Sequence, residues 1–332
     1  MCTAISIATK NHYFGRNLDY EHTFGEKVVI TPRNYKFIFS NNEETHNHYA
    51  IIGMALPYND YPLYFDATNE KGLSVAGLNF PENAFYFKES AGKLNVASYE
   101  LIPRILCFCE TAEQAKELIS KINITDREFA ASMPPSPLHW IVADKHQTLT
   151  VEQTSDGLKI YNNPTGVLTN NPPFHMQLQN LANYMHVTAH EPENLFSHKI
   201  KLMPYSRGMG AMGLPGDFSS ASRFVKCCFV KLNCVFGEAE KENVEQFFHI
   251  LDSVAQIKGC VEVGESYEIT NYSSCCNTDK GIYYYKTHMN SQICAINMHN
   301  ENLDSEKLVV YELFYDNNFY IQNKKNSSQE QH

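Results

Sequence analysis

The sequence predicts an α+β fold, and three observations carry that prediction. Strand-like segments come in blocks separated by a block of helices, without the regular strand–helix alternation of a parallel βαβ sheet. The opening residues alternate with period two, Ala4, Ser6 and Ala8 against Ile5 and Ile7, as a strand does. No internal repeat and no linker divides the 332 residues into compact halves. With 43% hydrophobic and 19% charged residues, the chain has the composition of an ordinary globular protein with a substantial core.

The opening strand turns at Lys10-Asn11-His12 into a second one that carries Arg16 and Asp19. Strands are expected at 27–31, 50–55 and 73–78, where apolar and β-branched residues run together. Between them, 40–45 is a polar loop, and Tyr58-Asn59-Asp60-Tyr61-Pro62 reads as a turn with exposed aromatics. A helix is expected over roughly 98–107, and Thr111 with Gln114 forms a capping box for another through 122. The prolines Pro134, Pro135 and Pro137 introduce a second set of strands, 138–143 and 149–152. Helical patterns return near 175–186, 220–234 and 241–256. The last third is β again, most clearly at 282–285 and 308–311. The polar tail 323–332 is expected to fray, which leaves 2–322 as a single domain.

Composition also excludes several function classes. A formal charge of −10 argues against nucleic acid as the main partner and offers an anionic ligand no global attraction. Met1-Cys2 leads straight into a strand, so no signal peptide is expected, and no stretch approaches the ~20 apolar residues of a membrane span. A cytoplasmic protein that does not engage membranes follows as the expectation. Ten cysteines in such a protein read as thiols. Cys227-Cys228, Cys275-Cys276 and Cys107-x-Cys109 lack the spacing of a zinc site, so neither metal nor cofactor is expected.

Cys2 is the residue with chemistry to offer. Removing Met1 would leave it with both a thiol and an α-amine, whose ordinary pKa values are ~8.5 and ~7.7–8.0. One residue would then hold a good nucleophile and a base suited to neutral pH. Arg16 near the sulfur would favour thiolate, and Asp19 near the amine would hold it in place. A spacing of three puts these two on opposite faces of a regular strand. For both to reach Cys2, the backbone must bend or one must approach from the strand end.

Cys2-Thr3, Phe14-Gly15-Arg16-Asn17-Leu18-Asp19 and Gly77-Leu78-Asn79-Phe80-Pro81 resemble the motifs of choloylglycine hydrolases, the bile salt hydrolase and penicillin V acylase group. Gly166-Val167-Leu168-Thr169-Asn170-Asn171-Pro172 and Leu214-Pro215-Gly216-Asp217-Phe218-Ser219-Ser220-Ala221-Ser222-Arg223-Phe224 continue the likeness, which covers essentially the whole chain. It implies the four-layered αββα sandwich of N-terminal-nucleophile hydrolases and a homotetramer. It also implies an amidase in which Cys2 attacks, Asn79 and Asn170 form the oxyanion hole, and Arg223 is a distal charge that fixes Asp19 or Arg16. Read alone, Arg223 is a solvated or snorkelling arginine.

The same resemblance places Leu18, Phe24, Tyr58, Phe65, Phe129, Met133, Ser136 and Leu138 around the acyl group, a set able to cover a steroid face. Conjugated bile salts are the implied substrate, because bile salt hydrolases of this family carry asparagine at position 79, whereas typical penicillin V acylases carry tyrosine. The loop Ser206-Arg207-Gly208-Met209-Gly210 resembles the segment that separates glycine from taurine conjugates, and its Ser-Arg start leans towards glycine. Ala4 departs from the family, standing where many relatives have glycine. Two other readings remain open. One is an acylase for penicillin V or acyl-homoserine lactones, and the other is a non-catalytic thiol or steroid-binding protein.

Overall fold

A computed structural model describes residues 1–316 and 319–323. The expected fraying tail lies, from residue 324 onward, outside the described residues. Cys2–Ala8 and His12–Tyr20 form a hairpin in unbroken register from Cys2 opposite Leu18 to Ala8 opposite His12. Both strands are buried along almost their whole length, polar residues included. They sit centrally in a six-stranded sheet, in the order Val167–Leu168, Cys2–Ala8, His12–Tyr20, Ile269–Asn277, Ile282–Thr287, Cys294–Asn297. Gly15 permits the close approach of Ile269–Asn277, since a Cβ there would fall 2.0 Å from the Ser274 carbonyl oxygen.

An eight-stranded sheet stacks on the first. Its order is Gly157–Asn162, Thr148–Thr154, Leu138–Ala143, Ser74–Asn79, Tyr61–Asn69, Ile51–Tyr58, Lys27–Thr31, Val309–Tyr311. The pairings in both sheets are antiparallel. Helices Leu101–Phe108 and Ala112–Ile119 cover the outer face of the eight-stranded sheet. Ser220–Asn233 and Glu240–Asp252 cover the six-stranded one. Two apolar clusters fill the layers. Ile5, Phe14, Ile52, Leu78, Phe224 and Phe247 belong to one, and Val75, Leu101, Ile105, Ala115 and Trp140 to the other. The result is the αββα sandwich expected from the resemblance.

Several local expectations change. The second helix ends at Ile119, and Ile122–Thr125 is instead a strand pairing in parallel with Leu94–Ala97. Ile122, Ile124 and Thr125 are β-branched, and a partner strand is available, so tertiary pairing overrides the helical pattern. Thr111 caps that helix through Gln114 N–H at 3.2 Å, but the Gln114 side chain accepts from Glu110 N–H at 2.7 Å, so the box closes one residue early. The first turn at Ser98–Glu100 is 3₁₀, with α-helix from Leu101. The 175–186 pattern resolves into Phe174–Asn180 and a 3₁₀ turn, Leu181–Tyr184, and the last helix stops at Asp252. Asn59 and Asp60 both take positive φ to close a two-residue hairpin. Of its aromatics, Tyr61 packs against Phe37, Tyr99 and Phe129 while Tyr58 stays exposed.

Candidate active site

Residues opposite one another in an antiparallel pair point to the same side of the sheet. The hairpin register therefore puts Cys2, Leu18, Ala4 and Arg16 on one side, facing the other sheet, and Thr3, Asn17 and Asp19 on the other, facing the helices. The three-residue spacing needs no bend: Arg16 and Asp19 flank Cys2 from opposite faces. Asp19 also sits near the strand end, where the neighbouring strand shifts register between Thr270 and Tyr272.

Arg16 is fully buried and crosses to the eight-stranded sheet, where its Nη1 donates to the carbonyl oxygens of Phe65, at 3.1 Å, and Gly77. Its Nη2 has no hydrogen-bond partner, and Arg16 and Cys2 line the same cavity. Burial works against the guanidinium charge, but Cys2, Tyr272, Asp66 and Asp19 together outweigh it and raise the pKa. The cation is thus held beside the thiol by neutral carbonyls.

Asp19 is equally buried. Its Oδ1 accepts from Thr270 Oγ1 at 2.6 Å, while Oδ2 has no hydrogen bond and lies 3.9 Å from Arg223 Nη1. Burial pushes its carboxyl up to about 6, against the pull of Arg223, the N-terminal ammonium and Thr270. With Met1 in place, that ammonium donates to the Asp19 carbonyl oxygen at 2.7 Å and to the Glu268 carboxylate. Cys2 N–H donates to Asn170 Oδ1 at 2.8 Å.

Arg223 is no surface arginine, being 1% exposed. It lies in the first turn of Ser220–Asn233, a helix capped by Ser219. Its Nη1 donates to the Cys2 carbonyl oxygen and to Thr3 Oγ1, both at 2.6 Å, and its Nη2 to Asn170 Oδ1 at 2.8 Å. It thus holds Cys2 directly as well as standing near Asp19. Asn170 is fixed on every side. Its Nδ2 donates to the Asn79 carbonyl oxygen at 2.7 Å, its N–H to Ser220 Oγ at 2.8 Å, and its carbonyl oxygen accepts from Gln177 Nε2 at 2.6 Å. Asn79 ends its strand on the cavity wall. Gln177 and Glu268 are ordinary polar residues in sequence, and no motif marks them; Ser220 lies in the 214–224 motif, where it was given no role of its own.

The cavity over Cys2 measures about 400 Å³. Leu18, Phe24, Phe65, Phe129, Met133, Ser136 and Leu138 line it; Tyr58 does not, although its ring lies 5.9 Å from that of Phe129. Tyr20, Leu56, Leu63, Tyr64, Ser98, Tyr99 and the prolines Pro134, Pro135 and Pro137 also line it. Of these, Leu63 was legible, since strand alternation carries it to the same face as Phe65. Tyr99 reaches the site from a helix start and gave no signal. A second cavity, of about 430 Å³, lies by Ser6, Thr148 and Lys231 at the far end of the first strand and holds no cysteine. None of the 206–210 residues lines the cavity over Cys2, and Ser206 and Arg207 are exposed.

Among the other cysteines, burial pushes the thiols of Cys107, Cys109, Cys227, Cys228, Cys275 and Cys276 up, away from thiolate at neutral pH. Among the described residues no cluster of His, Cys, Asp and Glu could hold a metal ion, and no helix is long and apolar enough to cross a membrane.

Residues 2–311 match the model of the choloylglycine hydrolase family of linear amide C–N hydrolases. The bile salt hydrolase/transferase of Lactiplantibacillus plantarum is 50% identical over 324 residues, covering 97% of this chain and all of that protein. Among solved structures, the mutant C2A conjugated bile acid hydrolase from Clostridium perfringens superposes with a TM-score of 0.90 at 36% identity, covering 97% of this chain and 100% of the other. Penicillin V acylase from Agrobacterium tumefaciens shares the fold, with a TM-score of 0.74 at 17% identity over 94% of this chain and 91% of that one.

Proposed function

The chain belongs to the choloylglycine hydrolase family of linear amide C–N hydrolases, and on that footing we propose that it hydrolyses the amide bond of glycine- or taurine-conjugated bile salts through Cys2. The observation that carries this is the placement of Cys2, with its side chain beside Arg16 on an apolar cavity and its nitrogen on Asn170. Removal of Met1 would turn that nitrogen into an amine. It would take the thiol proton as the sulfur attacks the amide carbonyl, then pass it to the departing nitrogen of glycine or taurine. Arg16 sets its guanidinium beside the attacking sulfur. Asp19, through its free Oδ2, and Asn170 hold the amine, and Arg223 keeps the Cys2 backbone and the Asn170 side chain in place.

The tetrahedral oxyanion would be met by Asn79 and by the Asn170 amide hydrogen not given to the Asn79 carbonyl. Removing one such donor costs typically ~2.7–4 kcal/mol. The acyl-thioester is resolved by water. The L. plantarum relative is named a transferase as well, and an amine entering in place of water would give that outcome from the same intermediate. Leu18, Phe24, Phe65, Phe129, Met133, Ser136 and Leu138 receive the steroid, with Tyr58 at the rim. Asparagine at position 79 supports bile salts over penicillin V, and the Ser206-Arg207 start of the exposed loop supports glycine conjugates.

The domain is taken as 2–322, supported by two apolar clusters that share the stacked sheets. A cytoplasmic homotetramer is the proposed state. Its support is the arm around 195–205, where Leu195, Phe196, Met203 and Tyr205 are each at least 70% exposed, more apolar surface than a solitary subunit usually leaves in one place. Release of glycine and taurine from glycocholate and taurocholate, measured against penicillin V hydrolysis, tests the proposal. A kcat/KM for glycocholate no higher than for penicillin V would move it to the acylase reading.

A further inference from the structure

Asn79 and Asn170 come from separate elements, and one buried side chain braces the backbone beside both. His139, on the strand Leu138–Ala143, is fully buried and does not line the cavity. Its Nε2 lies 2.8 Å from the Thr169 carbonyl oxygen and its Nδ1 3.1 Å from Glu152 Oε1. Its ring stacks on that of Phe80, with centroids 4.2 Å apart and planes 6° from parallel. The Thr169 carbonyl and the Asn170 N–H are the two ends of one planar peptide. His139 holds the first end and Ser220 Oγ the second, at 2.8 Å. Side chains, not a strand ladder, therefore fix the peptide that aims Asn170. Phe80 directly follows Asn79, and its N–H donates to the Pro137 carbonyl oxygen at 2.7 Å, so the stack steadies the chain as it leaves Asn79.

The hydrogen-bond partners locate the proton. A carbonyl oxygen only accepts, so Nε2 carries a hydrogen. Nδ1 faces a carboxylate oxygen that already accepts from Phe174 N–H at 2.9 Å. Resting on the reading of Asn79 and Asn170 as oxyanion donors, we propose that His139, oriented by Glu152, is the positioning residue that sets both asparagines. It touches no substrate and acts through the Thr169–Asn170 peptide and the Phe80 ring.

Two variants separate its contacts. His139→Phe keeps a ring against Phe80 and removes the donor to Thr169, whereas His139→Gln keeps a donor at about the Nε2 position. Glycocholate hydrolysis by each, with the rate of Cys2 alkylation by iodoacetamide as a reaction without an oxyanion, gives the readout. In His139→Phe, kcat falls about tenfold to a hundredfold, less than the ~100- to 1,000-fold loss of a donor itself. KM and the alkylation rate stay within about twofold of wild type, and His139→Gln recovers most of kcat.

Wild-type kcat in His139→Phe overturns the proposal, as does an alkylation rate that falls in step with kcat. Should His139→Phe not fold, His139→Gln alone decides: near wild-type kcat supports the positioning role, and a kcat below about a tenth contradicts it. Asn79→Ala in the same assay tells which claim failed. Full kcat there removes the oxyanion reading and this proposal with it, whereas a loss there with none in His139→Phe removes only the role of His139.

Discussion

Arg223 Nη1 lies 2.6 Å from the Cys2 carbonyl oxygen and 3.9 Å from Asp19 Oδ2, so one guanidinium stands between the nucleophile's backbone and a buried carboxylate. Replacing it with methionine keeps volume but strands Asp19 without a counter-charge and takes a donor from the Cys2 carbonyl, from Thr3 Oγ1 and from Asn170 Oδ1, the last of which keeps the Cys2 N–H. Breaking a buried pair from one side costs ~3–5 kcal/mol. Urea denaturation of Arg223→Met at pH 8 is expected to show a loss in that range. The loss should shrink below pH 6 as Asp19 takes a proton.

Asp19 itself gives a pH signature. Burial raises its carboxyl from 3.8 to about 6. An acid raised on folding contributes stability that is complete below its unfolded pKa and is lost as pH rises through the folded one. A rise of that size corresponds to ~3 kcal/mol, lost between pH ~4 and ~6. Asp19→Asn escapes that loss. Thermal or urea melts should find it equal to wild type at pH 4 and more stable by up to ~3 kcal/mol at pH 8. Glycocholate turnover should fall at the same time, because the amine loses its anionic partner.

Phe129 packs against Tyr58, Tyr61 and Tyr99 at the cavity wall and carries no polar group. Phe129→Ala removes apolar surface from the bound steroid and should raise KM for glycocholate by about tenfold, the equivalent of ~1.4 kcal/mol, while kcat stays within a few-fold. A fall in kcat with KM unchanged would place Phe129 in transition-state stabilisation instead.

The parts of the site legible in sequence are those whose residue type already is the chemistry. A cysteine beside the initiator and a strand bearing both an arginine and an aspartate could be read in place, and alternation along that strand gave their opposite faces. Gln177 and Glu268 could not. Their roles arise only when segments far apart in the chain close on Cys2, and nothing local distinguishes them from surface residues. The central strand Ile269–Asn277 was hidden for a related reason. Its Ser273 and Ser274 are buried against Asn17 and Asp66, at 2.7 and 3.1 Å, so the apolar alternation that marks a strand is missing. At Ile122, the expected end of the second helix, the helical pattern gave way to a strand whose partner only tertiary contact supplies.

Mass spectrometry of the amino-terminal peptide, taken from enzyme quenched during glycocholate turnover, tests the central claim most directly. The expected peptide begins at Cys2 and carries a cholyl group on the sulfur, and Cys2→Ser, with turnover reduced at least ~1,000-fold, carries none. Fully active enzyme that retains Met1, or an acyl group on any other residue, would contradict the account.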